Sequence, residues 1–316
     1  MRNNIGIDKN SEKILIIGAN GFLGSYLMAL SNKSTMKEQK ITVIASDLEN
    51  SHLDPNFPFY RIDITNARNT LREIHEIQPD VVILTASMTD VDQCEINKKL
   101  AKKVNIDGPK NVINGCEKID SKLVFMSTDF VFDGTKEGGL YKETDVPNPL
   151  SYYASTKYKA ELMIQNSDLD YLICRTAVLY GWNRWKLNFV TWIIDQLKRN
   201  TQLSIVTDQI NSPTYVENLA EIILKLVDKN AKGIYHTAGD CALSRYEIAL
   251  ETADCFNLNR DLIQPTTDLI QNALRPENAS LDISKLKSII GSELAIFDLK
   301  HGLNRMTKIK LSSINR

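Results

Sequence analysis

Short, continuous apolar runs recur along the first half of the chain and alternate with segments of helical periodicity. The runs predict strands at residues 14–17, 41–45, 81–84, 123–126 and 172–175. The periodic segments predict helices at 22–31, 67–77, 98–116 and 152–165. Apolar runs without polar alternation are typical of strands buried on both faces, as in a parallel sheet that helices cover. The pattern therefore predicts an α/β fold, a Rossmann-type doubly wound parallel sheet with right-handed crossovers.

A glycine-rich turn joins the first predicted strand to the first predicted helix. Its first, fourth and seventh positions are Gly18, Gly21 and Gly24. In this context the first glycine permits a tight turn, the second admits the pyrophosphate of a dinucleotide, and the third lets the helix pack closely on the strand. The free N–H groups at the start of the helix then face the phosphates. We predict a dinucleotide site formed by Gly18, Asn20, Gly21, Phe22, Leu23 and Gly24.

The loops after the next strands supply further candidates for this site. Asp47 ends the second predicted strand, where an acid accepts hydrogen bonds from the adenosine ribose and repels a 2′-phosphate. Because no arginine occurs at 46–50, the sequence favours NAD(H), and NADP(H) stays open. We expect Asp63 and Ile64 at the adenine edge. Thr85, Ala86 and Thr89 follow the third predicted strand and are expected under the nicotinamide side.

The spacing of one tyrosine and one lysine indicates a site of proton transfer. Tyr153 and Lys157 are four residues apart on a predicted helix, so they share one face. A nearby ammonium lowers the pKa of a phenol, which then exchanges a proton with a carbonyl oxygen while hydride moves. Thr128 follows the fourth predicted strand, at the sheet edge where doubly wound folds bind ligands. We predict Thr128, Tyr153 and Lys157 to be catalytic.

Composition narrows the classes of partner. The 316 residues are 43% hydrophobic and 24% charged, with a formal net charge of −1, which disfavours nucleic acid and anionic membrane surfaces as partners. The longest apolar runs fall far short of the roughly 20 residues of a membrane-spanning helix. The five cysteines are scattered and the four histidines have no metal-ligand spacing. We therefore expect a cytoplasmic protein with reduced thiols and no metal.

The organisation of the chain changes near Gly181. Beyond it the alternation loosens and prolines break the pattern. We predict a disordered tail at 1–11 and a dinucleotide-binding domain at 12–181, to which 217–239 returns. A smaller, irregular substrate-binding lobe is predicted at 182–216 and 240–316.

Longer motifs carry a resemblance to a known family. The segments 18–24, 127–134 and 153–161 together resemble the extended short-chain dehydrogenase/reductase family. Within it the chain is similar to the dTDP-4-dehydrorhamnose reductases, which the runs at 208–214 and 275–282 also match. The resemblance covers about residues 13–290. It implies reduction by NAD(H) or NADP(H) of the 4-keto group of a 4-keto-6-deoxy sugar nucleotide, a step of dTDP-L-rhamnose biosynthesis.

The resemblance also implies roles for single residues. Lys157 would hold the nicotinamide ribose, and Asn105 would support that lysine. Asp129, Phe130 and Arg275 would face the sugar nucleotide, Arg275 with a guanidinium suited to phosphate or sugar oxygens. The sequence departs from the family pattern in three places: Ala154 stands where glycine is usual, and Thr85 and Ser87 replace alanines beside the nicotinamide.

Alternative functions stay open on this sequence. Another sugar-nucleotide enzyme, an epimerase or a dehydratase, shares the tyrosine and lysine, although Phe130 stands where a dehydratase has its carboxylate base. The chain also resembles the regulatory β subunit of methionine adenosyltransferase, which binds a partner enzyme, at 233–236, 244–247 and 274–276. A homodimer is compatible with either.

Overall fold

The computed structural model describes residues 11–31, 41–50, 53–183, 186–268 and 271–309. Residues 1–10 of the predicted disordered tail lie outside these ranges. Ser11, the last residue of that tail, is described and buried, and its hydroxyl lies 2.6 Å from the hydroxyl of Thr42. The ordered chain therefore includes the residue just before the first strand.

Seven of the described strands form one sheet. In chain order the strands are β1 (Glu12–Ile17), β2 (Ile41–Asp47), β3 (Phe59–Arg61), β4 (Val81–Leu84), β5 (Lys122–Thr128), β6 (Tyr171–Thr176), β7 (Leu179–Tyr180), β8 (Leu203–Val206), β9 (Ile210–Asn211), β10 (Thr214–Tyr215), β11 (Gly233–His236), β12 (Leu243–Ser244) and β13 (Ile263–Thr266). The order in the sheet is β11-β6-β5-β4-β1-β2-β3. The pairs from β3 to β5 are parallel, and the order reverses between β1 and β4, where such folds bind ligands. The predicted doubly wound fold is confirmed.

Burial explains why the apolar runs form this sheet. All four residues of β4 and all seven of β5 are buried, as expected for strands with helices on both faces. The short strand β3 is absent from the prediction. It has three residues, none of them buried, and it lies at the edge of the sheet, so no apolar run marks it.

Three of the four predicted helices, at 22–31, 67–77 and 152–165, have the predicted bounds. The helices in the described residues are α1 (Phe22–Ser31), α2 (Ala67–Ile77), α3 (Val91–Ile96), α4 (Lys98–Lys102), α5 (Gly108–Glu117), α6 (Tyr152–Gln165), α7 (Phe189–Lys198), α8 (Val216–Asp228), α9 (Arg245–Cys255), α10 (Ser284–Ile290) and α11 (Leu299–Lys308). Short 3₁₀ turns occur at Asp129–Val131 and Arg260–Leu262. The helix predicted at 98–116 is instead divided into α4, a π-helical turn at Lys103–Asp107, and α5.

Pro109 accounts for that division. Proline has no N–H, so it cannot bond the carbonyl of Asn105 four residues earlier. The N–H of Gly108 instead bonds the carbonyl of Lys103, five residues back. The widened turn brings Asn105 to a buried position.

The chain divides into two compact units. The first contains residues 1–127, 151–174 and 223–235, and the second contains 128–150, 175–222 and 236–316. The first unit is built around β1, β2, β4 and β5, with a core that includes Leu15, Ile44 and Phe125. The predicted boundaries differ from this division chiefly at 128–150, which the prediction gives to the dinucleotide-binding domain.

The second unit has two apolar clusters of its own. One surrounds Tyr180, Tyr215 and Leu303, and the other surrounds Ile193 and Leu203. Its paired strands are short: β7 with β10 and β8 with β13 are parallel, and β9 with β12 is antiparallel. In the part of the chain that the structure describes, no helix is long and apolar enough to cross a membrane.

Candidate active site

The glycine-rich turn between β1 and α1 is tightly packed at its first and last glycines. Gly18 has a φ of +95°, and a Cβ there would lie 2.6 Å from the backbone nitrogen of Ala86. A Cβ on Gly24 would lie 2.1 Å from the carbonyl oxygen of Gly18. At Gly21 the nearest atom is 3.0 Å away, and this residue is exposed. The turn thus needs Gly18 for its conformation and Gly24 for the approach of α1 to β1.

The remaining residues of the turn divide between core and surface. Leu23 is buried, whereas Asn20 and Phe22 are half-buried. The side-chain oxygen of Asn20 is enclosed and has no protein partner among the described residues. The first N–H groups of α1 have no carbonyl one turn earlier, so they are available to an anion.

Asp47 connects this turn to the end of β2. One carboxylate oxygen accepts the N–H of Asn20 at 2.9 Å, and the other accepts the N–H of Leu48 at 2.7 Å. Arg61 ends β3 as the register partner of Asp47. Arg61 lies outside the segment 46–50 in which the sequence shows no arginine, so only the parallel pairing of β2 and β3 reveals an arginine in register with Asp47.

Asp63 and Ile64 lie in the loop after β3. One carboxylate oxygen of Asp63 accepts from both the N–H and the hydroxyl of Thr65, at 2.9 and 2.7 Å. Ile64 is buried in the core, where its side chain fills the space left by the missing side chain of Gly108. A ligand contact at Ile64 is therefore restricted to its backbone.

The loop after β4 is tied to the glycine turn. The hydroxyl of Thr85 donates toward the carbonyls of Ile17 and Gly18, at 3.0 and 3.1 Å. The N–H of Ala86 also bonds the carbonyl of Ile17. Thr85, which departs from the family pattern, thus braces the backbone that Gly18 needs. Thr89, farther along the loop, is exposed.

Asn105 joins the same loop to α6. Its side-chain oxygen accepts hydrogen bonds from the hydroxyl of Ser87 and the N–H of Met88, at 3.0 and 2.9 Å. Its amide nitrogen donates to the Met88 carbonyl at 2.9 Å and to the Thr156 hydroxyl at 3.2 Å. Asn105 is thus bonded to Thr156, the residue before Lys157, and its support of Lys157 stays a prediction.

Tyr153 and Lys157 share a buried face of α6, which starts at a Ser151 cap. The ammonium of Lys157 lies 4.1 Å from the centroid of the Phe125 ring. Burial lowers the pKa of Lys157 to about 7, although the negative charge of Glu161 opposes that shift. The charge of this lysine is thus sensitive to its surroundings near neutral pH.

In the second unit, Thr128 and Asp129 are buried and bonded to each other. The Thr128 hydroxyl lies 3.0 Å from one carboxylate oxygen of Asp129 and accepts the N–H of Phe130 at 3.2 Å. The other Asp129 oxygen accepts the amide of Asn211 at 2.7 Å. Both carboxylate oxygens therefore have partners within the unit.

Two arginines add positive charge to this group. Burial raises the pKa of Asp129 to about 6, against the hydrogen bonds from Thr128 and Asn211 and the charge of Arg245. Burial and the charge of Arg275 together lower the pKa of Arg245 to about 10, although the negative charge of Asp129 opposes that shift. Arg275 is half-buried and donates to the carbonyl of Ala273 at 2.9 Å.

Asn211 and Arg245 are absent from the predicted site residues. Each lies inside a run that resembles a known family, at 208–214 and 244–247. Their charge or amide could have marked them as candidates, but only the fold shows that both act on Asp129. Within the described ranges, no three His, Cys, Asp or Glu side chains converge as a metal site.

Known proteins match the chain over most of its length. The family model described as RmlD substrate binding domain matches residues 12–309. A probable low-salt glycan biosynthesis reductase, Agl14, of Haloferax volcanii is 30% identical over 87% of this chain and 91% of that protein. Methionine adenosyltransferase 2 subunit beta of Bos taurus is 31% identical over 88% of this chain and 83% of that protein. A solved dTDP-4-dehydrorhamnose reductase of Bacillus anthracis in complex with NADP is 30% identical, with 94% and 99% coverage and a TM-score of 0.79.

Proposed function

The chain belongs to the RmlD substrate binding domain family, and we propose that it is an NAD(P)H-dependent reductase of a 4-keto-6-deoxy sugar nucleotide. The observation that carries this proposal is the buried pair of Tyr153 and Lys157 on α6. A family relative whose structure was solved with NADP is named as a dTDP-4-dehydrorhamnose reductase, and another relative is named as a glycan biosynthesis reductase. The sugar nucleotide of dTDP-L-rhamnose biosynthesis is accordingly the first substrate to test.

The first unit suits the cofactor, NAD(H) or NADP(H). The turn leaves no room for side chains at Gly18 and Gly24, and the N-terminus of α1 offers N–H groups to the pyrophosphate. Asp47 is proposed to accept the adenosine ribose hydroxyls. Asp63 and the backbone of Ile64 are assigned to the adenine edge, and the loop of Thr85, Ala86 and Thr89 to the nicotinamide side. When bound, the reduced nicotinamide supplies a hydride.

The catalytic roles follow from the chemistry of three side chains. Tyr153 gives its proton to the carbonyl oxygen of the substrate during reduction. Lys157 holds the nicotinamide ribose, and its ammonium stabilises the phenolate that Tyr153 becomes. Thr128 places its hydroxyl against the substrate oxygen. Asp129, Phe130 and Arg275 are proposed for the sugar-nucleotide side. Phe130 stands where a dehydratase has its carboxylate base, which disfavours dehydration.

Removal of the Tyr153 hydroxyl tests the proposal. We expect the unaltered protein to oxidise NADH or NADPH when dTDP-4-dehydrorhamnose is added. Tyr153→Phe should lower kcat by roughly 10²–10⁴-fold, the usual contribution of a general acid, while the Kd for NADH is almost unchanged. Tyr158→Phe is the matched control, because Tyr158 is on the same helix with leucine, not lysine, four residues later. Equal turnover by Tyr153→Phe and the unaltered protein would contradict the assignment.

A regulatory subunit is the second candidate, favoured by the 31% identity to methionine adenosyltransferase 2 subunit beta. The two functions are separated by one comparison. If no sugar nucleotide stimulates NADH or NADPH oxidation and the protein instead binds a purified methionine adenosyltransferase, the regulatory function replaces the reductase.

A further inference from the structure

Three buried side chains in the second unit form a hydrogen-bonded chain. Asn211 is 2% exposed, Asp129 2% and Thr128 6%. The Asn211 amide nitrogen is 2.7 Å from one oxygen of Asp129, and the Thr128 hydroxyl is 3.0 Å from the other. Both carboxylate oxygens of Asp129 thus have protein partners within the unit.

The number of protons on these groups limits what Thr128 can do. An ionised carboxylate only accepts hydrogen bonds, and a hydroxyl has a single proton to donate. When Asp129 is ionised, the hydroxyl proton of Thr128 is therefore directed to Asp129. The Thr128 oxygen also accepts the N–H of Phe130 at 3.2 Å. In this state Thr128 can only accept a hydrogen bond from a substrate.

We propose that Asp129 is a positioning residue that sets the direction of the Thr128 hydrogen bond, so that Thr128 donates to a substrate carbonyl only while Asp129 is protonated. The Asn211 amide donates to one oxygen of Asp129 and so directs the proton to the other oxygen, which faces Thr128. A protonated Asp129 then donates to Thr128, and the Thr128 proton becomes available to the substrate. The activity part of this inference rests on the proposed reductase function.

The surroundings of Asp129 bring the gain and loss of its proton into the pH range of ordinary buffers. Burial raises its pKa to about 6, while the hydrogen bonds from Thr128 and Asn211 and the positive charge of Arg245 act in the opposite direction. The positive charge of Arg275 in turn lowers the pKa of Arg245. Because the raised pKa means that Asp129 loses its proton above about pH 6, donation by Thr128 is present below that pH and is lost as the pH rises.

A direct titration tests the chain without any substrate. In protein labelled with ¹³C at the aspartate carboxyl carbons, the resonance missing from Asp129→Asn identifies Asp129. Its midpoint should lie near pH 6, should rise in Thr128→Val and Asn211→Leu, and should stay in place in Thr128→Ser, which keeps the hydroxyl. A midpoint near the ordinary aspartate value of about 3.9 would overturn the inference. So would a midpoint that Thr128→Val leaves unchanged.

The pH dependence of NADH oxidation with dTDP-4-dehydrorhamnose then tests the consequence. We expect kcat to fall as the pH rises through about 6, and Asp129→Asn to remove that step, because its amide donates to Thr128 at every pH. The remaining fall should lie near pH 7, where Lys157 titrates. Thr128→Val should lower kcat by roughly 10²-fold below pH 6, the usual cost of one lost oxyanion donor.

Asp261→Asn is the matched control, since Asp261 is an exposed carboxylate of the same unit. It should keep the step near pH 6. If Asp129→Asn keeps that step as well, the inference is wrong. If the unaltered protein reduces no sugar nucleotide, the proposed function fails, and the carboxyl titration alone decides the inference.

Discussion

Asp47 and Arg61 place opposite charges at neighbouring strand ends, at the predicted ribose position. Asp47 is the last residue of β2 and pairs in register with Arg61, the last residue of β3. A carboxylate repels the 2′-phosphate of NADPH, whereas a guanidinium attracts it. We therefore predict that the choice between NADH and NADPH depends on two residues 14 positions apart in the sequence.

We expect NADH to bind the unaltered protein at least as tightly as NADPH, because Asp47 lies nearer to the glycine turn through its bond to Asn20. Arg61→Ala should weaken NADPH binding by about tenfold, equivalent to ~1.4 kcal/mol, and leave NADH binding unchanged. Titration of both cofactors measures this. Arg68→Ala, at an exposed arginine of α2, is the control. Equal loss for both cofactors would show that Arg61 acts through the fold and not through the phosphate.

Residues whose roles depend on their neighbours in the sequence could be predicted from it. Residues that act through tertiary contacts could not. Gly18 has the positive φ that its place in the motif required. Arg61 is brought to Asp47 only by parallel strand pairing, and Asn211 reaches Asp129 across 82 residues of sequence. Neither partnership leaves a trace in the local pattern of residue types.

At the scale of elements, α6 carries a carboxylate in line with the proposed catalytic pair. Tyr153, Lys157 and Glu161 follow one another at four-residue spacing, and all three are buried. The negative charge of Glu161 raises the pKa of Lys157 against the lowering effect of burial. Cys94 of α3 is the other acidic group that acts on this lysine, and Phe125 of β5 lies against its ammonium.

Glu161→Gln should therefore shift the pH dependence of NADH binding. Without the Glu161 charge the pKa of Lys157 falls below about 7, so the ammonium is lost at a lower pH. We expect the pH at which the Kd for NADH begins to rise to move in the acidic direction by about one unit, the effect of ~1.4 kcal/mol on a pKa. Glu117→Gln, at an exposed position of α5, should leave the profile in place. An unmoved profile in Glu161→Gln would mean that this carboxylate has only a packing role.

The π-helical turn at Lys103–Asp107 is a feature of the helices that the sequence pattern did not predict. Periodicity predicted one helix at 98–116, and it cannot reveal a change of hydrogen-bond pattern within a helix. Pro109 was visible in the sequence, and its missing N–H is the cause of the wider turn at Lys103–Asp107. The four hydrogen bonds that join the side chain of Asn105 to Ser87, Met88 and Thr156 depend on which loop and helix pack there.

At the scale of the whole molecule, the proposed roles divide between the two units. Every residue proposed for the cofactor belongs to the first unit, and Thr128, Asp129, Phe130 and Arg275 belong to the second. The boundary follows β5, whose last residue, Thr128, is the first residue of the second unit. The sheet could be predicted from the sequence because each buried strand is a continuous apolar run. The predicted dinucleotide-binding domain includes 128–150, whereas the compact units place this segment in the second unit. Contacts with residues far along the chain, such as the bridge between Tyr141 and Leu281, are not visible in the local sequence pattern.

This division predicts that a variant of the second unit affects the substrate alone. Arg275→Ala should raise the KM for dTDP-4-dehydrorhamnose by roughly tenfold or more, since a charge-assisted contact with phosphate is lost. The Kd for NADH should stay within about twofold, because the residues proposed to hold the cofactor are in the other unit. Arg260→Ala is the control, as Arg260 is an exposed arginine of the same unit that pairs with Asp254. Arg275 also donates to the carbonyl of Ala273, so melting temperature must be measured alongside. A lower melting temperature without a selective change in KM would show that Arg275 only holds the turn before Pro276.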